Sequence, residues 1–298
     1  MKKIIIFGAN SYIARNFIHF LKNQEVELEL YGHGENHADN EKKYKQINLL
    51  DINQLATINL GCDYIYIFSG KTGTNIGFEN YKEFLEVNEL GLLNLINEYI
   101  RQSSNAKIIF PSTRLIYKGK NHALKEDDEK EFKTIYAINK FSCENYLSMY
   151  SNIYGLRYNI VRICVPYGTM IQGASSYGTI EFLLLKAKSN ANITLYGSGS
   201  QRRSITDIRD LCRLLYKVAE LGHDNEVYNI GGEDYSLKEM AELIARKFSV
   251  TVDSVPFTEK ALKLESGSTV FDDSKLQSVL GKKLYNYSFD DWVMGLKI

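Results

Sequence analysis

The chain has 298 residues, 44% of them hydrophobic and 24% charged, and its 36 basic side chains are balanced by 36 acidic ones. Zero net charge gives no general attraction to nucleic acid or to an acidic membrane surface, and no stretch approaches the roughly 18 apolar residues of a membrane span. The four cysteines, Cys62, Cys143, Cys164 and Cys212, make no CxxC pair and stand near no histidine at metal-ligand spacing, which predicts reduced thiols, no metal site and a soluble, cytoplasmic protein.

In chain order, residues 4–7 (Ile-Ile-Ile-Phe) are a short apolar run of buried-strand type. Met1-Lys2-Lys3 ahead of it would suit a signal peptide, but the run is too short for one and Gly8-Ala9-Asn10 ends it. A helical pattern follows with Ile13, Phe17, Phe20 and Leu21 on one face, and residues 26–31 read as a second strand. Further strands are expected at 64–68, 107–111 and 158–164, with long helical segments at 79–101 and 136–154. Such alternation builds an α/β fold, a doubly wound parallel sheet covered on both faces. Beyond about residue 165 the pattern loosens into loops around Gly173 and Gly197-Ser198-Gly199, before a last strand at 226–230 and a helix at 237–248. The reading divides the chain into 1–165 and a smaller domain over 166–298, with about 204–232 returning to the large sheet.

Gly8-Ala9-Asn10-Ser11-Tyr12-Ile13-Ala14 lies between the first strand and the first helix. A dinucleotide-binding fold places a pyrophosphate there, against free backbone N–H groups and the positive end of the helix. Small residues are needed because the backbone must approach the phosphate and the helix must pack close to the sheet. The three small positions are Gly8, Ser11 and Ala14, a degraded version of the glycine pattern. A glycine after a strand is more often only a turn; its place in the first strand–helix unit is what gives it weight. The second strand ends in Tyr31-Gly32-His33, without the carboxylate that normally grips an adenosine ribose. Glu35 lies slightly beyond, and Arg15 or His33 would suit a 2′-phosphate. Both NAD and NADP fit this reading.

Tyr136-Ala137-Ile138-Asn139-Lys140 sets a phenol and an ammonium four residues apart, on one face of a helix. A phenol near pKa 10 is a poor acid–base catalyst at neutral pH, and a nearby cation favours the phenolate. Most such pairs are surface residues, so position decides. The strand at 107–111 runs into Ser112-Thr113, hydroxyls at the carboxyl end of a parallel strand, where open α/β sheets bind ligands.

Ser112-Thr113-Arg114-Leu115-Ile116-Tyr117 followed by Tyr136 and Lys140 resembles the S-[ST]-x-x-V-Y-G and Y-x-x-x-K motifs of the extended short-chain dehydrogenase/reductases. These are the sugar-nucleotide epimerases, dehydratases and ketoreductases. The resemblance runs along most of the chain. Asn48-Leu49 resembles the adenine-contacting pair after the third strand, and Phe68-Ser69-Gly70 stands where the family has L-A-A beside the cofactor. Val87-Asn88 with Gly91 is similar to the helix motif whose asparagine supports the site. Arg162-Ile163-Cys164-Val165-Pro166-Tyr167-Gly168 resembles R-x-x-N-V-Y-G, and Gly197 to Arg203 resembles G-x-G-x-x-x-R. Val227-Tyr228-Asn229-Ile230-Gly231 matches the family's final strand.

The resemblance implies a Rossmann domain over 1–165, a mainly substrate-binding domain after it, and an NAD(P)-dependent enzyme acting on a nucleoside-diphosphate sugar. Tyr136 would exchange a proton with a sugar hydroxyl, Lys140 would lower the phenol's pKa and hold the nicotinamide ribose, and Thr113 would bond the same sugar oxygen. The implied cofactor contacts are Gly8, Asn10, Ser11, Tyr12, Ile13, His33, Asn48, Leu49, Phe68, Ser69 and Gly70, with Tyr136 and Lys140. The implied substrate contacts are Thr113, Arg114, Val165 and Arg203, the last on the diphosphate. Arg114-Leu115 replaces the acidic pair that 4,6-dehydratases carry, which disfavours water elimination. Val165 replaces an asparagine and Lys118 a glycine. Hydride transfer at C4 follows, for surface polysaccharide precursors, with a 4-ketoreductase slightly ahead of a C4 epimerase that retains NAD. A non-catalytic dinucleotide-binding regulator is the alternative of another class. The family also implies a homodimer through the helices of Asn88 and Tyr136, with Leu92, Leu95, Phe141 and Tyr146 as its apolar surface.

Overall fold

Ile4, Ile5, Ile6 and Phe7 are all fully buried, because the strand they form has a neighbour on either side and helices over both faces. The structure is a computed structural model and describes residues 1–35, 43–172, 176 and 178–297, so the loop expected around Gly173 lies outside the described residues. The described strands are β1 (Lys2–Phe7), β2 (Val26–Gly32), β3 (Tyr44–Gln46), β4 (Tyr64–Ile67), β5 (Lys107–Thr113), β6 (Arg157–Ile163), β7 (Val165–Tyr167), β8 (Ile193–Tyr196), β9 (Arg202–Asp207), β10 (Glu226–Ile230), β11 (Glu233–Ser236) and β12 (Val252–Val255). Seven of them make a wholly parallel sheet in the order β10-β6-β5-β4-β1-β2-β3. This is the doubly wound arrangement, and the strand order reverses between β1 and β4. Side chains alternate across the sheet, so Ile4 and Ile6 pack with the helix Tyr12–Leu21 and with Ile208–Leu221 on one face. Ile5 and Phe7 pack with Gly91–Arg101 and Ile135–Tyr154 on the other.

A smaller body lies beyond β6. β9 pairs with β7 in parallel and with β11 in antiparallel fashion, and β8 pairs with β12. Its core includes Tyr167, Ile205, Met240 and Phe289. The chain crosses back twice: after β9 the helix Ile208–Leu221 covers the large sheet and β10 joins its edge against β6, and later Leu276 and Leu284 pack into the same core. The two bodies meet at the first helix, where Tyr12 Oη donates to Gly168 O at 2.6 Å and Asn16 Oδ1 accepts from Met170 N at 2.7 Å.

Residues 79–101, expected as one helix, are broken. Helices Ile76–Glu79 and Tyr81–Leu85 meet at Asn80, which leaves helical geometry (φ −112°, ψ 34°), and a π-helical turn, Glu86–Leu90, precedes Gly91–Arg101. Such π turns occur often at functional sites. This one carries Asn88, which is 6% exposed, and Glu89.

Candidate active site

The carboxyl ends of β1, β2, β3, β4 and β5 open onto one edge of the sheet, and the gap between β1 and β4 is its topological switch point, the usual place for a dinucleotide. At that gap Gly8 has φ +79°, and a Cβ there would stand 2.3 Å from Ser69 N and 2.5 Å from the Phe68 carbonyl carbon. The turn can therefore close onto the β4 end only as glycine. Ser11 caps the first helix by accepting from Ala14 N at 3.4 Å. Among the described residues no acceptor meets the amides of Tyr12 and Ile13, which leaves two N–H donors and the helix's positive end for an anion. Asn10 Nδ2 donates to His33 O at 3.2 Å, Glu35 O at 2.8 Å and Tyr44 Oη at 3.0 Å, so it fixes the backbone after β2. His33 and Asn48 are exposed at the same edge, and Leu49 lies against Gly91.

Thr113 ends β5, and its Oγ1 accepts from Leu115 N at 3.2 Å. Thr134 caps the helix Ile135–Tyr154 through Ala137 N at 3.1 Å, which presents Tyr136 and Lys140 one turn apart. The hydroxyls of Thr113 and Thr72 lie close enough to the Tyr136 phenol to act on its pKa. Burial pushes its pKa up to about 12, against the pull of those two hydroxyls. Lys140 is 8% exposed; its Nζ donates to Pro111 O at 2.7 Å and lies 4.2 Å from the centre of the Phe110 ring. Burial pushes its pKa down to about 8. The lysine shares the helix face expected for it, but in this arrangement Pro111 rather than the phenol receives its charge.

Thr72 was not singled out in the sequence. Gly70, at φ +157°, and Asn88 bring it in: Asn88 Oδ1 accepts from Lys71 N at 2.6 Å, and its Nδ2 donates to Lys71 O at 3.1 Å. Asn139 Oδ1 accepts from Asn88 Nδ2 at 3.3 Å, and Asn139 Nδ2 donates to Glu89 Oε1 at 2.5 Å. The π turn and the tyrosine helix thus clamp the Gly70–Thr72 loop against the phenol.

Two of the remaining expected contacts are placed otherwise. Val165, 6% exposed, opens β7 opposite Ile205 and belongs to the core of the smaller body. Arg203 is 3% exposed and paired with Glu265 at 2.8 Å, and it also donates to Arg202 O and Gly267 O. Arg114 stands beside it and bonds Ser266 Oγ and Thr269 Oγ1. Behind the site, Glu144 and Arg162 form an ion pair, both 4% exposed, which joins Ser112 to Tyr117 and Asn229.

The model of the NAD dependent epimerase/dehydratase family matches residues 4–231. The chain belongs to that family. A putative UDP-glucose 4-epimerase of Methanocaldococcus jannaschii is 25% identical over 173 residues, 57% of this chain and 56% of the relative. The match thus spans little more than half of that protein's length. Among solved structures, Pal from Bacillus thuringiensis superposes with a TM-score of 0.87 at 21% identity, covering 98% of this chain and 96% of that one. UDP-glucuronic acid 4-epimerase from Bacillus cereus, in complex with UDP-glucuronic acid and NAD, gives 0.84 at 20% identity with the same coverage. These likenesses establish the fold, a Rossmann sheet with a smaller second body. Among the described residues no helix is long and apolar enough to cross a membrane.

Proposed function

We propose that the protein is an NAD(P)-dependent 4-epimerase of a nucleoside-diphosphate sugar, with residues 1–165 and the returning 208–230 segment as its cofactor body. The observation that carries this reading is the cluster of Tyr136, Thr113 and Thr72 hydroxyls at the switch-point edge, one helical turn from Lys140. The dinucleotide, when bound, supplies the hydride acceptor and donor. The amides of Tyr12 and Ile13 would hold its pyrophosphate, Asn48 and Leu49 its adenine, and Phe68 to Gly70 would line its path. Lys140 would hold the nicotinamide ribose from beside Pro111. Tyr136 would take and return the sugar hydroxyl proton, and Thr113 would fix the same oxygen. The epimerase reading is preferred because the M. jannaschii relative is described as a 4-epimerase.

A 4-ketoreductase is the second reading, favoured by the end of β2. Asn10 holds the His33 and Glu35 carbonyls there, and His33 rather than a carboxylate follows Gly32. An epimerase recycles its cofactor in place, whereas a reductase must exchange it. Protein purified without added nucleotide and then denatured is expected to release stoichiometric NAD, and to interconvert two sugar nucleotides with no cofactor added. An empty site with NADPH consumption on a 4-keto sugar nucleotide would replace the epimerase by the reductase.

We also propose a homodimer. The expected surface needs correcting, since Leu92 and Leu95 are 2% and 0% exposed within the subunit's own core. Leu85, Leu90, Ile138, Met149 and Ile153 are instead 44–64% exposed on the same helices, a set that a two-fold helix pairing would cover. Light scattering at micromolar concentration should give twice the chain mass, and Met149→Arg should give a monomer. A monomeric wild type would end this proposal.

A further inference from the structure

Arg114 leaves the end of β5 directly after Thr113 and opens the 3₁₀ turn Arg114–Ile116. Its two hydrogen bonds, to Ser266 Oγ and Thr269 Oγ1, are both 3.3 Å, long for a guanidinium and made to neutral hydroxyls. No carboxylate among the described residues forms an ion pair with it. Glu265 belongs to the same cluster but is taken by Arg203, which also donates from Nη1 to two backbone carbonyls. Two guanidiniums therefore share one carboxylate, and a positive charge is left over. Burial and the neighbouring Arg203 push Arg114 down to about 10, which still leaves it charged at neutral pH.

A partly desolvated charge without a counter-ion is less favourable than one that a ligand pairs. Arg114 is not sealed in. The side chain is half-buried, and none of its nitrogens is an enclosed donor without a partner, so its unused donors reach solvent. Arg203 has a carboxylate partner and is enclosed, whereas Arg114 has none and is open. Both arginines were expected as substrate contacts, and of the two it is Arg114 that keeps open donors.

We infer that Arg114 recognises an anionic oxygen group of the sugar nucleotide, either a carboxylate on the reacting sugar or the diphosphate, with Arg203 fixed by Glu265 as its support. The inference rests on the sugar-nucleotide reading of the site. A guanidinium can grip either group through two parallel N–H···O bonds.

Calorimetric binding of UDP-glucuronate and UDP-glucose to the NAD-saturated wild type, Arg114→Gln and Arg114→Lys tests this. Arg114→Gln should weaken UDP-glucuronate at least ~10-fold, and Arg114→Lys, which keeps the charge, should lose less. If UDP-glucose weakens equally, the group recognised is the diphosphate; if it is unaffected, the group is the sugar carboxylate. Wild-type affinity for both ligands in Arg114→Gln would overturn the inference. A wild type that binds neither ligand would instead overturn the sugar-nucleotide reading, and this inference with it.

Discussion

Tyr136→Phe is expected to lower turnover by at least ~10²-fold while leaving cofactor affinity nearly unchanged. The substitution removes one hydroxyl and keeps the ring, so the packing of the helix Ile135–Tyr154 is retained. What it removes is the oxygen that meets Thr113 and Thr72. In this arrangement that oxygen keeps its proton. With its pKa pushed up to about 12, the phenol holds its proton throughout the neutral range. Its use as a base needs positive charge nearby, and Lys140 is committed to Pro111 O. Conversion to a base therefore depends on charge that arrives with the ligands or on Lys140 turning toward the phenol. Steady-state turnover on the true sugar nucleotide, set beside a cofactor titration, checks the prediction. Near-normal turnover in the variant would remove Tyr136 from the mechanism.

Much of the large sheet was legible because its strands are buried on both faces and so read as unbroken apolar runs. Residues 4–7, 64–68 and 107–111 needed no partner to be recognised, whereas 226–230 was placed by its likeness to the family's final strand. The break in 79–101 was not legible. A π turn adds a residue to one turn of helix without changing composition, and nothing in Glu86-Val87-Asn88-Glu89-Leu90 distinguishes it from ordinary helix. Its effect is local: it buries Asn88 beneath the Gly70–Lys71 backbone.

The candidate site divides along the same line. Gly8, Ser11, Thr113, Tyr136 and Lys140 are fixed by their place in a strand–helix unit, and local spacing located them at one edge. Thr72 and the partnership of Arg203 with Glu265 depend on contacts between distant segments. The Arg203 pair spans 62 residues of sequence, and no local pattern encodes such a distance. Arg203 matched a motif by spacing, but its surroundings decided its partner.

Breaking the pair behind the site should cost a large part of the fold's margin of stability. Arg162 reaches Glu144 through Nη2–Oε2 at 2.6 Å and Nε–Oε1 at 3.1 Å, and its Nη1 donates to Tyr117 Oη and Glu126 O, both at 2.6 Å. Glu144 also accepts from Ser112 Oγ at 2.5 Å. It lies one helical turn beyond Lys140, so the pair sets the depth at which the tyrosine helix sits on β5 and β6. Arg162→Met would leave the carboxylate buried without its cation, a loss of about 3–5 kcal/mol and, for a domain of this size, on the order of 10 °C in Tm. Arg162→Met combined with Glu144→Leu removes both charges, and most of that loss should be recovered, because the larger cost is the stranded charge rather than the missing bond. Thermal unfolding of the two single variants and the double variant at neutral pH closes the cycle. A double variant no more stable than Arg162→Met would show that the arginine acts through its bonds to Tyr117 and Glu126, and that the ion pair does not hold the catalytic helix in place.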